Sequence, residues 1–102
     1  MRKLNVKRKW SICECASKIN LYIQCPEEYA THNIDGKNFR EYRLKNGKTV
    51  TADIFDEETK IYIESSTMQV SYTIEAGTED INLLAKPHYN PMQGNPFTIE
   101  KM

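Results

Sequence analysis

Apolar side chains recur at every second residue through most of this chain, and any fold it adopts has to accommodate that period. From residue 18 to 25, Ile19, Leu21, Ile23 and Cys25 take one parity, while Lys18, Asn20, Tyr22 and Gln24 take the other. Successive side chains of an extended strand point to opposite faces, so this is a half-buried strand. Pro26 stops it, having no N–H to give to a ladder. The same period marks 4–16, where Leu4, Val6, Trp10 and Ile12 oppose Lys3, Lys7, Lys9 and Ser11. It returns in 39–44, 48–55, Thr59–Glu64, 69–75 and 81–86, and 97–100 makes a last short strand. Cys13 and Cys15 fall on the previously polar parity, which predicts a bulge or a strand crossing near residues 12–14.

The turns set how these strands connect. Lys45-Asn46-Gly47-Lys48 carries the strongest short-range hairpin signal, because Asn and Gly tolerate the positive φ of tight turns. A three-residue loop with Gly47 left-handed keeps Tyr42 and Leu44 on the face of Val50, Ala52 and Ile54, so a bulged hairpin is expected there. Residues 26–38 read as a long connection crossing between sheets, opened by Pro26-Glu27-Glu28 and broken again at Asp35-Gly36. With period two throughout and short regular turns, the chain is expected to form an all-β antiparallel β-sandwich of about seven strands, with a small barrel as the lesser alternative.

A chain of 102 residues makes one domain, 1–102, with a basic N-terminal arm (1–9) and a Pro-rich C-terminal segment (87–102). Fourteen basic and fourteen acidic residues cancel, so no net field recruits nucleic acid or an anionic membrane. The cancellation is uneven: Arg2, Lys3, Lys7, Arg8 and Lys9 all precede the first acid, Glu14. No apolar h-region follows them, and no apolar run approaches the roughly 20 residues of a membrane span. Three cysteines, an odd number, fit a reducing, cytoplasmic compartment better than a disulfide framework.

Lys18–Gln24 (KINLYIQ), Leu44–Ile54 (LKNGKTVTADI) and Lys60–Glu64 (KIYIE) resemble the strand, Asn-Gly turn, strand and return of small bacterial β-sandwich modules of the PEGA and carboxypeptidase-regulatory type. Those stretches cover under half of the chain, and no Gly-Tyr follows Ala76-Gly77 as it does in the PEGA pattern. The resemblance implies a binding or accessory module without catalysis, and it carries over no functional residue.

Among chemistry-bearing groups, Cys13, Cys15, Cys25 and His32 have metal-ligand side chains, but the paired Cys-x2-4-Cys knuckles of zinc sites are missing. The cysteines are therefore read as small buried hydrophobes, with no metal and no cofactor expected. Nothing orients a cysteine nucleophile toward His32 or His88. Asp53, Asp56, Glu57 and Glu58 read as solvated turn acids, their order unlike that of a calcium loop.

Recognition is expected instead on the Pro-pinned C-terminal segment, where His88, Tyr89, Met92 and Phe97 form the candidate partner-binding set. The sequence thus points to a non-enzymatic protein-interaction or accessory module. Its partner is another protein or a second copy, added along an exposed strand edge such as 4–12 or 69–75. The alternative is a single-stranded nucleic-acid binder using Lys7, Arg8, Lys9, Trp10, Lys18 and Tyr22. The parity that Trp10 shares with Leu4 and Val6 places it in the core rather than on such a surface.

Overall fold

A computed structural model describes residues 1–10, 18–65, 69–87 and 97–102. The described residues form nine strands: β1 (Arg2–Arg8), β2 (Asn20–Gln24), β3 (His32–Ile34), β4 (Lys37–Arg43), β5 (Thr49–Ile54), β6 (Thr59–Glu64), β7 (Gln69–Ile74), β8 (Ile81–Pro87) and β9 (Phe97–Lys101). One turn of 3-10 helix, Glu27–Tyr29, lies between β2 and β3. The strands make two sheets, a first in the order β5-β1-β8-β9 and a second in the order β3-β4-β2-β6-β7. The all-β expectation stands, with two corrections: there are nine strands rather than about seven, and β1 pairs with β8 in parallel while every other described pair is antiparallel.

Strand alternation decides what faces inward. On the first sheet Leu4, Val6, Ala52, Ile54, Leu83 and Ala85 are buried; on the second, Ile19, Leu21, Ile23, Leu44, Ile61, Ile63 and Ile74 are. These side chains form one hydrophobic cluster between the sheets, flanked by Tyr42, Val50, Tyr72, Ile81 and Ile99. Each large aliphatic member contributes about 1.5–3 kcal/mol through burial.

The parity of β1 also carries Arg2 and Arg8 inward, to 3% and 2% exposure. Neither guanidinium is left in an apolar setting. Arg2 donates through Nε to the Phe55 carbonyl at 3.0 Å and through Nη2 to those of Glu57 at 3.3 Å and Glu75 at 2.7 Å. At the other end of the strand, Arg8 Nη1 donates to the Leu44 carbonyl at 3.0 Å. The central strand of the first sheet is thus pinned at both ends to chain leaving the second.

The Lys45–Lys48 turn exists, but the hairpin expected around it does not. Lys48 donates its N–H to the Lys45 carbonyl at 3.0 Å, and Gly47 has φ +71°. Asn46 is not in the positive-φ region, so the turn has the type II pattern, with positive φ only at its third residue. A type II turn splays its flanking strands instead of matching their twist. Accordingly β4 enters the second sheet and β5 the first, and Tyr42 and Leu44 meet Val50, Ala52 and Ile54 across the core rather than beside them.

The true two-residue hairpin is Asp35-Gly36, where both residues have positive φ (52° and 79°) and Ile34 pairs with Lys37. Residues 26–38 therefore include strand β3 and do not change sheets: the connection leaves β2 on one side of β4 and enters β3 on the other. Nor is the β1 part of the expected 4–12 edge exposed, since β1 is flanked by β5 and β8. Among the described residues the strands at the ends of the sheets are β5, β9, β3 and β7, which includes the expected 69–75 stretch.

Candidate binding groove

Where the connection from β2 to β3 passes across β4, the inner face of the second sheet is left partly uncovered. Pro26 ends β2, the 3-10 turn carries Tyr29 over β4, and Thr31 rejoins the sheet by donating its N–H to the Phe39 carbonyl at 2.9 Å. On β4, Arg40 and Tyr42 share the parity that faces the core, through their pairing with Ile23 and Leu21. A groove of about 300 Å³ results, lined by Met1, Cys25, Pro26, Tyr29, Arg40, Tyr42 and Asp53. Met1 and Tyr29 are two of the four large apolar side chains exposed among the described residues, Tyr29 at 56%.

Arg40 organises the polar chemistry here. Its guanidinium lies over the Tyr42 ring, 5.7 Å from the centroid, a cation–π geometry. Burial pushes the Tyr42 hydroxyl up in pKa; Arg40 pulls against this, and Cys25 and Asp53 add to it. The Cys25 thiol is likewise raised by burial and lowered only in part by Arg40, so it is a protonated thiol rather than an activated nucleophile. Asp53 is paired with Lys3, Nζ to Oδ1 at 2.7 Å, and that contact raises the Lys3 ammonium.

The side of β5 that no other described strand pairs reaches the rim at Asp53. Arg8 donates its N–H to the Lys48 carbonyl at 2.9 Å, which makes the even-numbered residues of the pair the hydrogen-bonded ones. Thr49, Thr51 and Asp53 consequently turn their N–H and C=O groups away from β1, and no other described strand takes them. The strand has no proline and no glycine to blunt it.

The residues singled out from the sequence are scattered. His88, Tyr89 and Met92 lie outside the described residues, as do Cys13, Cys15 and the 12–14 bulge; the backbone of Phe97 opens β9. Cys25 and His32 sit on opposite faces of the second sheet, since Cys25 continues the parity of Ile23 while His32 pairs with Phe39, which pairs with Gln24. They do not form a common site, and no cluster of three or more metal-ligating side chains occurs among the described residues. Asp56, Glu57 and Glu58 are solvated turn acids.

Of the nucleic-acid set, Lys7, Lys9 and Lys18 are exposed, and the other three members are corrected. Arg8 is occupied inside the molecule. Tyr22 does point to the outer face but is only 7% exposed, with Tyr62 opposite it and the His32 ring edge-on at 5.2 Å. Burial, with help from Glu64 and Glu41, raises its hydroxyl pKa. Trp10 is corrected in the other direction: it lies past the end of β1, where strand parity no longer applies, and is 63% exposed.

Sequence reasoning missed Met1, Pro26, Tyr29, Arg40 and Tyr42 as a group. The available signal was an aromatic and a proline in a segment without alternation, next to an Asp-Gly turn that brings the chain back alongside β4.

No protein-family model, no curated protein and no solved structure matches the chain. No described helix is long and apolar enough to cross a membrane. Fold and groove together define an all-β protein of two mostly antiparallel sheets around one core, with a side-chain groove at a strand edge that no other described strand pairs.

Proposed function

We propose that this chain is a non-enzymatic protein-interaction module, a two-layer sandwich that takes an extended segment of a partner along β5. One observation supports this above the others: the free edge of β5 lies beside the groove that contains Tyr29, Arg40 and Tyr42. In strand addition, backbone hydrogen bonds supply affinity and pockets for alternate side chains supply selectivity. A segment added at Thr49, Thr51 and Asp53 would bring an inward-facing side chain to the groove at its Asp53 end. There an apolar floor of Pro26 and Tyr42 favours an aliphatic or aromatic group, and Arg40 favours a neighbouring carboxylate. Tyr, Arg and Met are also the residue types enriched at interface centres. The accessory role suggested by the PEGA-type resemblance agrees with this reading.

The test is a display selection of extended peptides against the intact chain. Selected peptides are expected to lose at least tenfold in affinity to Thr51→Pro, which removes an edge N–H, and to Arg40→Glu. Peptides that bind both variants as well as the parent would refute the reading.

A further inference from the structure

The zero net charge conceals a separation of charge along the strands. At one end, backbone hydrogen bonds draw three distant pieces of chain together: Arg8 N–H to Lys48 O at 2.9 Å, Leu44 N–H to Ile19 O at 2.9 Å, and Lys48 N–H to Lys45 O at 3.0 Å. The residues carried there include Lys7, Lys9, Lys18, Lys45 and Lys48, all exposed and none in an ion pair among the described residues. Lys86 is near the same end but pairs with Glu100 at 3.3 Å, and Arg43 and Glu64 lie to one side on the outer face of the second sheet. At the opposite end, around Arg2, exposed Asp56, Glu57, Glu58, Glu75, Glu79 and Asp80 collect in the two turns that Gly77 N–H to Asp56 O ties together at 2.8 Å.

Trp10 stands within the lysine-rich end. A Cβ built on Gly47 would come within 3.2 Å of Trp10 Cδ1 and 3.5 Å of its Cβ, so the indole rests one edge against the bare backbone of Gly47. The residue as a whole is 63% exposed. An exposed indole at the same end as five lysines that make no ion pair among the described residues matches the two parts of a single-strand site, a stacking platform and phosphate contacts. Among the described residues the other exposed large apolar side chains, Met1, Tyr29 and Met102, lie away from it, so no described apolar patch joins it for entry into a lipid surface.

We propose that this end binds single-stranded nucleic acid, a base stacking on Trp10 and the backbone phosphates meeting Lys7, Lys9, Lys18, Lys45 and Lys48. The site is independent of the groove beside β5. It is the set left after Arg8 and Tyr22 are removed from the residues named on sequence grounds and the two turn lysines are added.

Trp10 is the sole tryptophan, so its fluorescence reports the contact directly. Titration of the intact chain with oligo(dT) at low salt is expected to quench it. The logarithm of the affinity should fall with that of salt concentration at a slope of up to about −3.5, from about −0.7 per phosphate contacted. Trp10→Ala, followed by anisotropy of labelled oligo(dT), should weaken binding roughly ten- to hundredfold. Lys45→Glu with Lys48→Glu should weaken it and flatten the slope, in a protein whose circular dichroism is unchanged. Absence of quenching at low salt overturns the proposal. So does a blue shift on phosphatidylserine vesicles without a response to oligo(dT), or salt-sensitive self-association through the acidic end in place of oligonucleotide binding.

Discussion

Gly47 answers to two constraints at once, a left-handed backbone and the indole of Trp10 lying against it. Gly36 answers only to the first, with open space where a Cβ would go. Ala at either position incurs about 1–2 kcal/mol of backbone strain. Gly47→Ala is therefore expected to destabilise more than Gly36→Ala in urea unfolding, with a shift in Trp10 emission that Gly36→Ala does not produce. Gly47→Val should be worse again, and Asn46→Ala milder than any of them, because Asn46 is not left-handed. Equal losses at the two glycines would mean that the indole contact contributes nothing.

Individual residues also show where sequence reading stops. The inward parity of Leu4, Val6, Leu21, Ile23, Ile61 and Ile63 was legible because alternation is a geometric property of any strand. The fates of Arg8 and Trp10 were not. Arg8 had the buried parity but a charged head, and its burial depends on a carbonyl, that of Leu44, which only the folded chain brings near. Trp10 had the buried parity but no strand beneath it.

At the level of elements, two Gly-containing turns with similar letters do different work. Asp35-Gly36 places both residues at positive φ and closes β3 onto β4; Asn46-Gly47 places only the glycine there and sends β4 and β5 into separate layers. That distinction is not written in the dipeptides, so a sheet order drawn from the stronger signal came out wrong, as did the long crossing connection. The groove was illegible for the same reason, being made where β3 returns beside β4. If β3 is held chiefly by its turn, Gly36→Ala should speed amide exchange at Thr31, whose N–H bonds to the Phe39 carbonyl. The Leu44 amide, bonded to the Ile19 carbonyl at the far end of the sheet, should be unaffected. Uniform acceleration at both amides would show that β3 does not open separately.

For the molecule as a whole, four proton equilibria among the described residues shift the same way. Burial raises Cys25, Tyr42 and Tyr22 above ordinary values of 9.0, 10.0 and 10.0, and Asp53 raises Lys3 above 10.5. In each case the folded state holds the proton more tightly than the unfolded chain. Their contribution to stability is complete below those ordinary values and is lost as pH rises through the elevated ones. The melting temperature is expected to fall on the alkaline side from about pH 9 upward, and Tyr42→Phe should make the fall shallower. An alkaline limb identical in the variant would remove Tyr42 from the account.

The parallel pairing of β1 with β8 has a consequence in time. The strands of the second sheet lie within residues 20–74, so all of them precede β8 in the chain. The first sheet cannot be assembled until β8, some seventy residues after β1, has emerged to flank its central strand. Until β8 is available, β1 with its two inward arginines has only β5 to pair with, so the parallel ladder is the pairing of longest sequence separation that the centre of the first sheet has to close.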